Sequence, residues 1–190
     1  MIVQIIFGPD TRTAIVDAGL IWQIDDAFLA SHDDTMVPPK TLADCRKWAE
    51  VRIAALNLAV KGLPQERLHY HLCWGSWNGP HTNAVAMKDI FDLMLRLNVG
   101  GYAIEMANPR HEHEWRLWET AKLPEGKALI PGVICHATNV VEHPELVAER
   151  IVRLAKLVGR DNVIAGTDCG FAQGRFTRRV HPSVMGAKLD

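Results

Sequence analysis

Apolar positions along the chain follow two rhythms. Five short stretches, residues 20–24, 68–73, 101–104, 128–134 and 162–165, are continuous or alternating in apolar character, which predicts strands. Between them, apolar residues recur every three or four positions, which predicts helices over 41–60, 83–97, 112–119 and 143–158. The first of these has Thr41 placed as an N-cap, Asp44 in its first turn, and Cys45, Ala49, Ile53 and Leu56 along one face. The second carries Val85, Ile90, Met94 and Leu97 on one face, and the last begins at Pro144 and stops at Gly159. Strands alternating with helices predict an α/β fold with a parallel sheet, because a parallel connection needs a crossover. An open doubly wound sheet and part of a (β/α)8 barrel both satisfy this pattern, and in both the ligand site lies at the carboxyl ends of the strands.

Composition narrows the function classes. The chain has 190 residues, 48% apolar and 23% charged, with a formal net charge of −1. The apolar fraction excludes disorder, and the charge balance provides no electrostatic footprint for nucleic acid or an anionic membrane. No apolar run has the length of a bilayer span, and the first residues lack the basic start and cleavage site of a signal peptide, so a cytoplasmic enzyme of small molecules is expected. Four cysteines, Cys45, Cys73, Cys135 and Cys169, stand far apart with no CxxC pair, and read as thiols or metal ligands.

The strand ends carry the candidate chemistry. The first strand ends in Gln23-Ile24-Asp25-Asp26, two acids on opposite faces. His69, His71 and Cys73 alternate onto one face of the second. Glu105 follows the third strand directly, Cys135-His136 the fourth, and Asp168-Cys169-Gly170 the fifth. His71, Cys73, Glu105 and Cys169 make a mixed nitrogen, sulfur and oxygen set that suits zinc. With 31 residues between Cys73 and Glu105 and 63 between Glu105 and Cys169, this is no zinc-finger spacing, and buried cysteine with core histidine is the alternative reading.

These motifs, together with Pro131-Gly132-Val133 and the later His136 and Asn139, stand in an order that resembles the C-terminal catalytic domain of cobalamin-independent methionine synthase. The resemblance covers residues 14–188 and extends to shorter single-barrel relatives, which include epoxyalkane:coenzyme M transferase. It implies that the chain represents the last five βα units of a (β/α)8 barrel, truncated at the N-terminus, with residues 1–12 unmatched and 13–190 forming the partial barrel domain. It implies zinc on His71, Cys73, Glu105 and Cys169, Asp25 as the group holding a substrate amine, and His136 as general acid. The implied reaction is transfer of a methyl group from 5-methyltetrahydrofolate to a thiol such as homocysteine, as in methionine biosynthesis. Another zinc-dependent thiol alkyl transfer, or an inactive zinc-binding fragment, are the alternatives. Its partners would be the thiol and the methyl donor, with a second copy or a separate N-terminal chain completing the barrel.

The chain departs from the family pattern at Asp26-Ala27, at Thr167 before Asp168-Cys169, and at 171–175, and its 73–81 and 107–115 stretches look like the shorter relatives. Asp168 reads as an orienting group or strand-end cap, and His69 as a packed residue. His111, Glu112, His113 and Glu114 read as a solvated first helical turn. Trp74, Trp77, Trp115 and Trp118 read equally as core or pocket wall, Cys45 as core, and Cys135 as inert or orienting.

Overall fold

The computed structural model describes residues 9–26, 29–30, 41–75, 84–171 and 180–190. Along the chain come α1 (Pro9–Asp17), β1 (Trp22–Asp26), α2 (Leu42–Ala59), β2 (Leu68–Leu72), α3 (Met87–Met94) and β3 (Gly101–Ile104). A 3-10 helix (Glu112–Glu119), β4 (Ala128–Ile134), α4 (Pro144–Val158), β5 (Gly166–Thr167) and α5 (Pro182–Leu189) follow. Among the described residues the strands are ordered β1-β2-β3-β4-β5, each beside the next in sequence, as successive βα units require. The chain divides into two compact units, the first running to the start of β3 and the second from the end of β3 onward, apart from residues 124–127, which belong to the first. No described helix is long and apolar enough to cross a membrane.

In the first unit β1 pairs parallel with β2, Trp22 opposite Leu68 through Asp26 opposite Leu72. Alternation puts Trp22, Ile24 and Asp26 on the same face as Leu68, Tyr70 and Leu72, all of them buried. Helix α2 opens with a capping box: Thr41 Oγ1 accepts from the Asp44 N–H at 3.2 Å, and Asp44 Oδ2 accepts from the Thr41 N–H at 3.1 Å. Such a cap stabilises a helix by about 1 kcal/mol. The helix then buries Cys45, Ala49, Ile53 and Leu56, the stripe its spacing predicts. Strand β1 lies two residues later than expected, because Leu20 and Ile21 face solvent while the strand continues into its two acids. Helix α3 is shorter than its apolar period, since Val85 and Leu97 bury themselves from the flanking turns.

In the second unit β4 pairs parallel with β5 at Gly132 opposite Gly166 and Ile134 opposite Thr167, with a register irregularity between them. The expected strand at 162–165 contributes a single parallel bridge, Leu129 to Val163, because Asn162 closes a 3-10 turn and Ile164 faces solvent. Helix α4 begins with His143 accepting from the Glu145 N–H and Pro144 in the first turn, and ends at Gly159, whose φ of 94° suits glycine. The segment at Glu112–Glu119 is helical as expected but winds as 3-10.

Candidate functional site

Two half-sites can be built from the strand ends. In the first unit, parallel register sets Asp25 opposite His71 and Gln23 opposite His69, so Asp25, His69 and His71 share the face turned away from Ile24 and Tyr70. Asp26 points the other way and is fully buried against α2. Arg52 holds it with Nε at 2.8 Å from Oδ1 and 2.6 Å from Oδ2, and a terminal nitrogen at 2.6 Å from Oδ1. The Tyr70 hydroxyl donates to Asp26 Oδ2 at 3.3 Å, and burial followed by the nearby carboxylate pushes its pKa well up, so it stays a donor. The two adjacent acids therefore do different work: Asp26 locks the strand end, and Asp25 accompanies His71.

His71 and Cys73 are 4% and 3% exposed, which takes their donor atoms out of bulk water. The Gly75 N–H donates to Cys73 Sγ at 3.2 Å, which holds the thiol at the strand end. Burial lowers the pKa of His69, so it is neutral near pH 7.

In the second unit Glu105 leaves the end of β3 fully buried. The loop that follows it is strapped to Asp168, whose Oδ1 accepts the Met106 and Ala107 N–H groups at 2.8 Å each. Asn108 completes the arrangement, its Nδ2 donating to Glu105 Oε2 at 3.1 Å and to Asp168 Oδ2 at 3.2 Å. Burial raises the pKa of Asp168, and the three N–H donors work against that rise. Asp168 sits directly on β4, where a Cβ at Gly132 would come within 2.0 Å of its Oδ1 and 2.7 Å of its Cα. Only glycine fits there, which gives the Pro131-Gly132 motif its physical reason. The Thr167 hydroxyl donates to the Cys169 carbonyl at 3.0 Å, shaping the turn that presents Cys169.

His136 follows β4 and is fully buried. Beside it, burial pushes the Cys135 thiol up to about 11, so it is no nucleophile at neutral pH. Trp74 and Trp118 are core residues, and Trp74 donates its indole N–H to the Val85 carbonyl at 2.7 Å. Trp115 lies beneath the Arg153 guanidinium at 4.7 Å and lines a groove of about 700 Å³ with residues of α4, among them Glu149, Val152 and Lys156. None of the candidate site residues lines that groove. Trp77, Ala27, the 76–81 part of the 73–81 stretch and residues 172–175 lie outside the described residues.

The 111–114 segment corrects the expectation of a solvated turn. His111 Nδ1 lies 3.2 Å from Glu114 Oε2 with both side chains under a tenth exposed, and of the four residues only His113 is open to water. Glu112 is taken up by Arg150, which also donates to the carbonyls of Val133 at 2.9 Å and Ala107 at 3.2 Å. Sequence reasoning missed Arg150 and Asn108. Arg150 sits on an amphipathic helix where a basic residue reads as surface, whereas the only sign of Asn108 is its place three residues beyond the strand-end Glu105.

His71 and Cys73 in the first unit and Cys169 in the second offer one imidazole nitrogen and two sulfurs, donor types that can hold a metal ion. Glu105 is not a member of that group and accepts from Asn108 instead. The donor chemistry fits zinc, since thiolate and imidazole are its preferred ligands and a buried carboxylate can complete four-coordination.

No protein-family model matches the chain. Among curated proteins it is similar to 2-hydroxypropyl-CoM lyase of Xanthobacter autotrophicus, 29% identical over 171 residues, covering 75% of this chain and 44% of that protein. Among solved structures it is similar to a B12-independent methionine synthase from Shewanella sp. in complex with selenomethionine (TM-score 0.69, 22% identity, 95% of this chain and 49% of that one). A putative vitamin-B12-independent methionine synthase from Listeria monocytogenes matches at TM-score 0.56 and 22% identity, covering 86% of this chain and 46% of that one. The chain thus spans about half the length of these relatives. The likeness bears out the resemblance read from the motifs and shows the fold, part of a (β/α)8 barrel of the kind those proteins have.

Proposed function

We propose that the chain carries the zinc half of a thiol alkyltransferase, with His71, Cys73 and Cys169 as ligands and Glu105 as the fourth. The observation that carries this reading is the His71, Cys73 and Cys169 donor group itself. Zinc bound there would hold a substrate thiol as its thiolate at neutral pH. The protein's own residues do the rest. Asp25, which shares the His71 face, binds an ammonium group of the substrate in this reading. His136 delivers a proton to the leaving amine as the new sulfur–carbon bond forms and the donor nitrogen–carbon bond breaks. Glu105 would be the least matched of the four zinc ligands, because a carboxylate oxygen is the hardest of the four donors. Asp168 fixes the loop behind Glu105.

In its finest form the reaction is methyl transfer from 5-methyltetrahydrofolate, or its polyglutamate, to homocysteine, in the cytoplasm. The similarity to 2-hydroxypropyl-CoM lyase favours a second form, alkyl exchange on coenzyme M.

Metal analysis of the purified chain tests the ligand set. One zinc per chain is expected, lost in Cys73→Ala and Cys169→Ala, whereas variants that hold zinc as tightly as the parent would overturn the assignment. Turnover with homocysteine and methyltetrahydrofolate against turnover with 2-hydroxypropyl-CoM separates the two forms. Asp25→Ala should raise KM for homocysteine and leave it unchanged for coenzyme M, which has no amine.

A further inference from the structure

We propose that Asn108 is a positioning residue that fixes how Glu105 presents itself as a ligand, an inference that rests on the zinc reading above. The amide of Asn108 is 2% exposed, and every hydrogen-bonding position on it is used. Its two N–H groups go to Glu105 Oε2 and Asp168 Oδ2. Its carbonyl oxygen accepts the backbone N–H groups of Arg110 at 3.1 Å and His111 at 3.2 Å. Two carboxylates on one side demand donors and two backbone N–H groups on the other demand an acceptor, so the amide orientation is fixed by its surroundings.

This side chain does two separable things. The oxygen arm caps the turn that starts the 3-10 helix, a structural task. The nitrogen arm engages Oε2 of Glu105 and so orients its carboxylate. It also reaches Asp168, which the Met106 and Ala107 N–H groups hold independently of it. Partners of this kind, one bond behind the ligands, set ligand orientation and typically alter metal affinity when changed. No other side chain of that length supplies two donors and two acceptors: aspartate has no donor, and leucine has neither.

Asn108→Asp separates the two tasks, since it keeps the acceptor for Arg110 and His111 and turns the donor arm into a carboxylate facing two others. Zinc affinity, measured on the whole chain by chelator competition, should weaken about 10–100-fold. The absorption bands of the cobalt-substituted protein should shift, a readout that does not depend on turnover. The decisive arm is the Glu105→Ala background, where a residue acting through Glu105 has little left to act on and the same substitution should change zinc affinity less than about twofold. Equal affinity in parent and Asn108→Asp, or an equal loss in both backgrounds, overturns the proposal. Should Asn108→Asp fail to fold, Asn108→Ala is read in the same two backgrounds with the same criteria. A parent chain with no affinity for zinc overturns the proposed function, and this inference with it, whereas a parent that binds zinc beside an indifferent Asn108 overturns only the inference.

Discussion

Asp26 in the first unit and Asp168 in the second are both strand-end acids with no exposed surface, and they are satisfied in opposite ways. Asp26 is neutralised by a cation, the Arg52 guanidinium of α2, with Tyr70 adding one weaker donor. Asp168 is held by neutral donors only, two backbone N–H groups and one amide. A carboxylate matched by a guanidinium is a closed ion pair that locks a helix to a strand. One held by N–H dipoles arranges a loop, here the turn that follows Glu105. The two acids, alike in the sequence, thereby separate into a fold-forming one and a site-forming one.

The largest effect that could break this comparison is expected from Asp168→Ala. It strands three buried donors at once, each worth about 1–3 kcal/mol when orphaned, so a loss of about 4 kcal/mol is expected. For a chain of this size that is a fall in thermal midpoint of roughly 10 °C. Asp26→Ala should fall well short of that, because the Arg52 side chain is 27% exposed and can turn to water. Equal losses in the two variants would show that the mode of satisfaction makes no difference.

A middle-sized effect sharpens the first unit's side. Arg52→Met leaves the Asp26 charge buried without its cation, and removing one partner of a buried pair destabilises by about 3 kcal/mol. The double variant Asp26→Leu with Arg52→Met replaces the pair by apolar volume and should recover most of that loss. Chemical denaturation of the three proteins measures both numbers. A double variant as unstable as Arg52→Met alone would mean that the pair acts through something other than charge compensation.

What the sequence disclosed and what it hid divides along the same line. The α2 stripe Cys45, Ala49, Ile53 and Leu56 and its Thr41 and Asp44 cap are local, within one helix, and the periodicity shows them directly. The strand-end positions of His71, Glu105, His136 and Asp168 were equally legible, because alternation and the βα order place them without knowledge of packing. Strand β1 was misplaced by two residues because apolar Leu20 and Ile21 pull the reading toward themselves, while the strand in fact continues into Asp25 and Asp26. That continuation is stable only through Arg52, 26 residues further on. The roles of Arg150, Glu112 and Asn108 were hidden for the same reason. Their partners lie up to 60 residues away along the chain, as between Asn108 and Asp168, and no periodicity encodes such pairs.

The smallest effect concerns a second ion pair of the cation-matched kind, this time in the second unit. Lys188 of α5 is buried and donates to Glu142 Oε2 at 2.7 Å and to the Val140 carbonyl, while Glu142 Oε1 accepts the Cys135 N–H at 2.8 Å. Burial alone would raise the pKa of Glu142, but the Lys188 and Cys135 donors outweigh it, and the net shift is downward from the usual value near 4.5. A carboxylate depressed in the folded state contributes stability above its unfolded pKa and loses it as pH falls through the folded one. The chain should therefore lose on the order of 1 kcal/mol, beyond the general acid effect, only below about pH 4.5. Glu142→Gln should lack this step, so the gap in thermal midpoint between parent and variant should be flat from pH 7 to 5.5 and close at lower pH. A gap that widened on acidification would mean that Glu142 is raised in the folded state. The α5 helix would then be docked by the Lys188 contact to the Val140 carbonyl.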